Sequence, residues 1–200
     1  MKKIALLALA ATTAAVATPA SAQVTGTVEV TGNVAARCSV VPVGTSDSTF
    51  EDTIDIGTLD EADGTLKASL ETSNSGTPAG TVVSTRVVCN SASATISVGA
   101  DTLSTGAEAP TGYANDINYT AELEVNTTAG LRYATYNTLT PVPANYEKTV
   151  GRLAAGTANN VKVRAYALAA EDGPTSLLVA GDYTSTINVT ISPVAADVTL

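Results

Sequence analysis

The two cysteines are the residues of this sequence with the clearest chemistry. Cys38 and Cys89 are its only thiols, and the chain contains no histidine. A zinc site built from the usual cysteine and histidine ligands therefore lacks its third and fourth ligands. A Ser–His or Cys–His nucleophile is excluded because no histidine can act as the base. We predict that the two cysteines form a disulfide, as expected in an oxidising compartment.

An acidic turn at residues 60–64, with the sequence DEADG, is the second candidate for chemistry. Asp60, Glu61 and Asp63 could supply a carboxylate pair for glycoside hydrolysis or ligands for calcium. The turn lacks both the D-x-[DN]-x-[DN]-G spacing and the closing glutamate of a calcium loop. Acidic residues in a glycine-terminated turn are usually solvated. We predict that the protein is not an enzyme and has no catalytic residue, no metal site and no cofactor.

Residues 1–22 have the three parts of a secretory signal peptide. Lys2 and Lys3 form a basic start, residues 4–16 are apolar apart from two threonines, and Ala20-Ser21-Ala22 is an A-x-A cleavage site. The apolar stretch is too short and too rich in small residues for a transmembrane helix, so we expect no membrane insertion. The sequence predicts secretion through a bacterial periplasm.

Composition and charge restrict the possible partners. The chain has 10 basic and 19 acidic residues and a net charge of −9, and the predicted signal peptide carries two of the lysines. Nucleic acids and anionic membranes both require basic patches, so neither is an expected partner. Tryptophan is absent and phenylalanine occurs once, while threonine, valine, alanine, serine and glycine dominate. This vocabulary is typical of strands and turns.

Residues 23–36 alternate apolar or small residues with polar ones, as in a strand with one buried face. Every even position from 24 to 34 carries valine or glycine: Val24, Gly26, Val28, Val30, Gly32 and Val34. A strand at the start of a mature chain needs a sheet edge to pair with. The alternation leaves two interpretations open: this edge belongs to the same domain, or it belongs to another molecule.

Residues 37–193 are predicted to form one all-β domain, followed by a tail at 194–200. Strand patterns occur at residues 50–59, 65–70, 81–90, 117–125 and 161–168, and residues 181–192 hold the last strand. About nine short strands separated by turn residues, with no helical period, favour two sheets packed face to face.

Several motifs together resemble the spore coat U domain and the archaic chaperone–usher pilins. They are the opening VTGTVEVTGNV, C-S-V at 38–40, V-V-C-N at 87–90 and the closing GDYTSTINVTI at 181–191. The resemblance implies an immunoglobulin-like two-sheet sandwich that lacks its last strand. A neighbouring subunit would complete it by donating its N-terminal strand, a known form of strand addition.

The resemblance also implies roles for particular residues. The four valines of the first strand would plug the groove, and its two glycines, Gly26 and Gly32, would lie where the groove is shallow. One groove wall would be formed by Tyr183, Ile187, Val189 and Ile191. Expected partners are neighbouring copies or related pilus subunits, a periplasmic chaperone and an outer-membrane usher. The tail at 194–200 extends beyond the usual last strand of the family, so whether it caps the groove stays open.

Two functions follow from the sequence. The first is a structural subunit of a surface pilus or coat, located on the bacterial cell surface and polymerising by strand donation. The alternative is a monomeric secreted adhesin or carbohydrate-binding sandwich that is completed by its own first strand. Aromatic residues that could line a sugar site are Tyr113, Tyr119, Tyr133, Tyr136 and Tyr146.

Overall fold

A computed structural model describes residues 27, 29–41, 48–140, 145–156 and 158–194. The predicted signal peptide, three of the predicted donor residues (Val24, Gly26 and Val28) and residues 195–200 of the predicted tail lie outside the described residues. The chain divides into two units, Met1–Val34 and Ala35–Leu200.

The predicted all-β class is confirmed. The described residues form twelve strands and one helical turn. The strands are β1 (Cys38–Val40), β2 (Ala79–Thr85), β3 (Val87–Cys89), β4 (Ser93–Ala100), β5 (Leu103–Ser104), β6 (Tyr113–Ala114), β7 (Asp116–Thr127), β8 (Gly130–Asn137), β9 (Glu147–Gly151), β10 (Val161–Ala170), β11 (Leu177–Leu178) and β12 (Ile187–Val194), and the helical turn is α1 (Ala68–Glu71).

The larger sheet is built around β7. Its strand order is β2-β10-β7, and both β5 and β8 pair with the other edge of β7. The alternation predicted for residues 117–125 is present, because Ile117, Leu123 and Val125 are fully buried on one face. All pairings of this sheet are antiparallel. The sheet therefore presents one continuous apolar face to the core.

The second sheet has the order β12-β4-β9 and packs against the first to form a β-sandwich. Ile96 and Val98 of β4 are fully buried and belong to the same hydrophobic cluster as Leu123 and Val125 of β7. Burying an aliphatic side chain of this size contributes about 1.5–3 kcal/mol. The two sheets thus share a single core.

The predicted disulfide is confirmed. Cys38 and Cys89 lie opposite each other in the β1–β3 pair, with 4.1 Å between their Cα atoms. This spacing is close to the roughly 4.5 Å of an antiparallel pair without mutual hydrogen bonds. The bridge joins segments 51 residues apart and fixes β1 beside β3.

Two predicted strands are absent from the described residues. Residues 65–70 were expected to be extended, but α1 forms there and buries Leu70 in the core. Residues 50–59 run without turns and without a ladder of strand hydrogen bonds. In both places contacts with distant residues override the local alternation.

Candidate strand-accepting groove

A groove with a volume of about 720 Å³, lined by both apolar and polar side chains, runs along one side of the sandwich. β12, β1 and residues 48–56 all contribute side chains to its lining. Val83 of β2 and Val163 and Ala165 of β10 contribute to its floor. The structure places all four predicted wall residues against this groove: Tyr183, Ile187, Val189 and Ile191.

β12 presents both apolar side chains and backbone groups to the groove. Ile187, Val189 and Ile191 are half-buried and pack against the core, whereas the residues between them are exposed. The Asp101 amide donates to the Thr186 carbonyl at 3.1 Å, so even-numbered residues of β12 point their backbone groups at β4. The N–H and C=O groups of the odd-numbered residues therefore face the groove, where no strand pairs with them in the described part of the chain.

β1 supplies a second strand edge at the groove. The Asn90 amide donates to the Arg37 carbonyl at 3.1 Å, and the Val41 amide donates to the Arg86 carbonyl at 2.9 Å. Odd-numbered residues of β1 therefore bond to β3, and the backbone groups of Cys38 and Val40 face away from it. Among the described strands, β3 is the only one that pairs with β1. The groove is thus bordered by two strand edges that both offer hydrogen bonds.

The wall formed by residues 50–56 depends on one glycine. Gly80 has φ +75°, and a Cβ atom placed on it would lie 2.2 Å from the Asp55 carbonyl oxygen. Next to it, the Thr81 amide donates to the Asp55 carbonyl at 3.0 Å, and the Asp55 amide donates to the Thr81 hydroxyl at 2.9 Å. Only glycine allows this approach, which places Ile54 and Ile56 at the groove.

Two tyrosines line the groove beside the start of β12, and both hydroxyls have partners within the protein. The Ser185 hydroxyl donates to the Asp101 carbonyl at 2.6 Å, so the Tyr119 hydroxyl is the donor in its 2.8 Å bond to Ser185. The Tyr183 hydroxyl donates to two backbone carbonyls, those of Ala114 and Val179. Burial raises the pKa of both phenols, so they stay neutral at physiological pH. Their rings therefore add apolar surface to the groove.

A second polar cluster lies on the outer face of the larger sheet. Arg164 of β10 bonds Glu122 at 2.6 Å and Glu124 at 2.7 Å, and Lys162 bonds Glu124 at 3.3 Å. Burial alone would raise the pKa of Glu124, but its bonds to Arg164 and Lys162 outweigh burial and lower it. Burial and the nearby Glu122 charge raise the pKa of Tyr166 to about 12. Both carboxylates are paired with cations, so this cluster joins β7 to β10.

None of the acidic residues of the turn at 60–64 lines the groove. Asp63 accepts bonds from the Thr65 amide at 3.1 Å and from its hydroxyl at 2.7 Å, and these bonds lower the pKa of Asp63. This arrangement closes a turn around Gly64, whose φ is +86°. Asp60 and Glu61 are exposed. Within the described ranges, no group of three or more His, Cys, Asp or Glu side chains could hold a metal ion.

The five tyrosines considered for a sugar site are not brought to one surface. Tyr119 is buried in the core cluster, and Tyr136 packs against the same cluster. Tyr133 lies on the same strand as Tyr136 at odd spacing, so it points to the opposite face and is exposed.

In the first unit, the structure describes only residues 27 and 29–34 of the predicted donor strand. Val30 is 91% exposed and Val34 81% exposed, and no strand is assigned to residues 29–37. A Cβ atom on Gly32 would meet nothing within 4 Å. The even-numbered valines that are described are therefore exposed to solvent in the single chain.

Sequence reasoning missed the groove wall formed by residues 50–56. The alternation of Ile54 and Ile56 was visible, but nothing in the sequence assigned it to the groove rather than to a ladder. The sequence did not reveal the contacts of Gly80 and Asn90, because their partners lie 25 and 53 residues away.

Comparisons with protein-family models, curated proteins and solved structures found no match. Among the described residues, no helix is both long enough and apolar enough to cross a bilayer. The disulfide is compatible with an extracytoplasmic location.

Proposed function

We propose that the protein is a structural subunit of a secreted bacterial surface pilus or coat, and that each copy donates residues 23–34 into the groove of a neighbour. The observation that carries the proposal is a groove lined by two strand edges without a described pairing strand, in a chain whose predicted donor segment presents the exposed valines Val30 and Val34. The sandwich would then be an immunoglobulin-like fold that lacks one strand.

The alternation of residue orientation along β12 and β1 supports a donated strand whose valines point into the core. At both edges, the residues whose backbone groups face the groove also point their side chains to the core, as Val189 and Val40 do. A strand that bonds β12 through its valine positions must run antiparallel to β12, because facing residues of an antiparallel pair share one side. The backbone groups of its threonine positions then face β1, while the threonine side chains point outward. This arrangement fits a strand that runs parallel to β1.

Two kinds of contact would stabilise such a complex. Each inserted valine buries an aliphatic side chain, which contributes about 1.5–3 kcal/mol. Each new ladder bond adds a net 0.5–1.5 kcal/mol or so. These contributions oppose the roughly 4–15 kcal/mol lost when two molecules associate and the further cost of ordering the donated segment. The resemblance would place Gly26 and Gly32 where the groove is shallow.

Strand donation is a head-to-tail contact. The donating surface and the accepting surface differ, so each added copy exposes a new groove and the chain grows as a filament. The resemblance to spore coat U and archaic chaperone–usher proteins suggests the partners of such a subunit. A periplasmic chaperone would cover the groove before assembly, and an outer-membrane usher would pass the filament to the cell surface.

The test is a pair of adjacent substitutions, Val30→Asp and Thr31→Asp, in the secreted chain. In a dry groove, Val30→Asp buries a carboxylate, which costs several kcal/mol. Because Val30 is exposed in the single chain, the free energy of unfolding of the monomer should change by no more than about 0.5 kcal/mol. We expect Val30→Asp to abolish heat-stable oligomers on size exclusion and unboiled gels, and Thr31→Asp to retain them.

A lower melting temperature of the Val30→Asp monomer, with no oligomer in the wild type, would instead identify the strand as part of its own domain. That result would favour a monomeric adhesin. Oligomers that survive both substitutions would rule out donation of this strand.

A further inference from the structure

Each chain carries both a groove and a strand that fits a groove, so something must prevent closure onto itself. Only residues 35–37 separate the predicted donor strand from β1. A parallel crossover needs about a dozen residues or more, so a strand tethered this closely can return beside β1 only as an antiparallel hairpin. Whether such a hairpin forms depends on where the chain can turn.

Asn90 holds the connecting residues extended. Its side-chain oxygen accepts a bond from the Arg37 amide at 2.8 Å, and its side-chain nitrogen donates to the Ala35 carbonyl at 2.8 Å. Its own backbone amide donates to the Arg37 carbonyl. The side-chain amide thus continues the β1–β3 ladder past the point where the backbone of β3 turns away, and neither turn nor bend is assigned to residues 35–37.

The hairpin turn with the most favourable sequence would point the threonines of the donor strand, and not its valines, into the groove. A two-residue loop at Gly32-Asn33 uses a glycine-first pair typical of hairpins. It would place Thr27 opposite Cys38 and Thr25 opposite Val40. The threonines would then enter the groove and the valines would face solvent, because a shift of one residue exchanges the two faces.

Registers that bring the valines inward require a loop of odd length. The register that sets Val30 opposite Val40 needs residues 34–36 as its loop, and this breaks the bond from Asn90 to Ala35. A three-residue loop at 32–34 avoids Asn90, but its last residue takes the left-handed conformation, which the β-branched Val34 resists.

We propose that Asn90 is a positioning residue that prevents self-closure and thereby commits the N-terminal strand to a second copy of the chain. This inference rests on the proposed function. Asn90 acts on the backbone of residues 35–37 and not on the groove itself. Its removal should therefore leave the groove intact while permitting the chain to fold back.

The test compares wild type with Asn90→Ala, Asn90→Asp and the control Asn159→Ala. Asn159 is also exposed, and its side chain likewise donates to a backbone carbonyl, that of Ser84, at 3.1 Å. The ratio of monomer to polymer in the purified secreted chain is measured by size exclusion at fixed concentration. Hydrogen exchange at residues 29–34 of the monomer reports whether the strand is paired.

We expect Asn90→Ala to raise the monomer-to-polymer ratio about tenfold, the shift that corresponds to roughly 1.4 kcal/mol. Its monomer should show slowed exchange at residues 29–34 and should not bind a labelled peptide of residues 23–34. Asn90→Asp keeps an acceptor for the Arg37 amide but loses the donor to Ala35, so it should be intermediate. Asn159→Ala should match wild type.

Equal ratios for wild type and Asn90→Ala would overturn the role of Asn90 and leave strand donation standing. A rise in monomer without slowed exchange at 29–34 would also overturn it, because the strand would not have closed. A wild-type chain that neither polymerises nor binds the peptide would refute strand donation itself, and the inference with it.

Discussion

Replacing Gly80 by alanine tests how the groove wall is held. Gly80 combines φ +75° with a position where a Cβ atom would lie 2.2 Å from the Asp55 carbonyl oxygen. The left-handed backbone costs an alanine about 1–2 kcal/mol. The clash is with backbone, so relief requires a backbone shift that costs a further 1–3 kcal/mol or so. We therefore expect Gly80→Ala to destabilise the protein by about 2–5 kcal/mol, the sum of these two costs.

The matched control is Gly106→Ala. Gly106 has a similar φ of +68°, but nothing lies within 4 Å of its Cβ position. It should lose only the backbone contribution, about 1–2 kcal/mol. Urea unfolding measures both values, and the affinity of a peptide of residues 23–34 reports the groove.

Because the strain in Gly80→Ala displaces the wall that carries Ile54 and Ile56, its peptide affinity should fall more than that of Gly106→Ala. Equal losses of stability in the two variants would refute the argument from close approach. An unchanged peptide affinity in a folded Gly80→Ala protein would show that residues 50–56 do not shape the groove.

Three further predictions concern the sandwich itself. The pKa of Glu124 is lowered in the folded state, so its bond to Arg164 stabilises the fold fully above the ordinary pKa of 4.5 and is lost as pH falls through the folded pKa. Urea unfolding from pH 7 to 3 should show this loss of stability, and Glu124→Gln should remove that part of the pH dependence. Ala167 is the one described non-glycine residue with positive φ, at 53°; Ala167→Val should lower the melting temperature, whereas Ala167→Gly should leave it unchanged or raise it. Reduction of the Cys38–Cys89 bridge should lower the free energy of unfolding by about 4 kcal/mol for a loop of this length, measured as the shift in urea midpoint with and without reductant. An unchanged midpoint would mean that the β1–β3 pair needs no covalent support.

Local alternation was sufficient for much of the fold. The strand at residues 117–125 and the last strand were predictable because a period of two depends only on neighbouring residues and on one buried face. The disulfide followed from compartment and number, since two cysteines in a secreted chain have one intramolecular pairing. The side-chain orientation of Ile187, Val189 and Ile191 followed from the same alternation.

Contacts between distant residues decided the rest. The polar positions of β7 have the alternation of a solvated face, yet Glu122 and Glu124 are buried because Arg164, about 40 residues away, lies on the adjacent strand. The wall at residues 50–56 exists because Gly80 admits the Asp55 backbone. A sequence pattern carries no information on which strand becomes a neighbour.

The sequence alone determined the class of the fold and the disulfide, because the first depends on residue types at short spacing and the second on the number of cysteines. Tertiary structure alone decided that β12 and β1 border a groove without a strand between them in the described chain. It also decided that Asn90 holds the start of β1 extended. Both are outcomes of backbone hydrogen bonding. Backbone N–H and C=O groups are nearly the same in every residue, so their partners are decided by the folded chain and not by residue type.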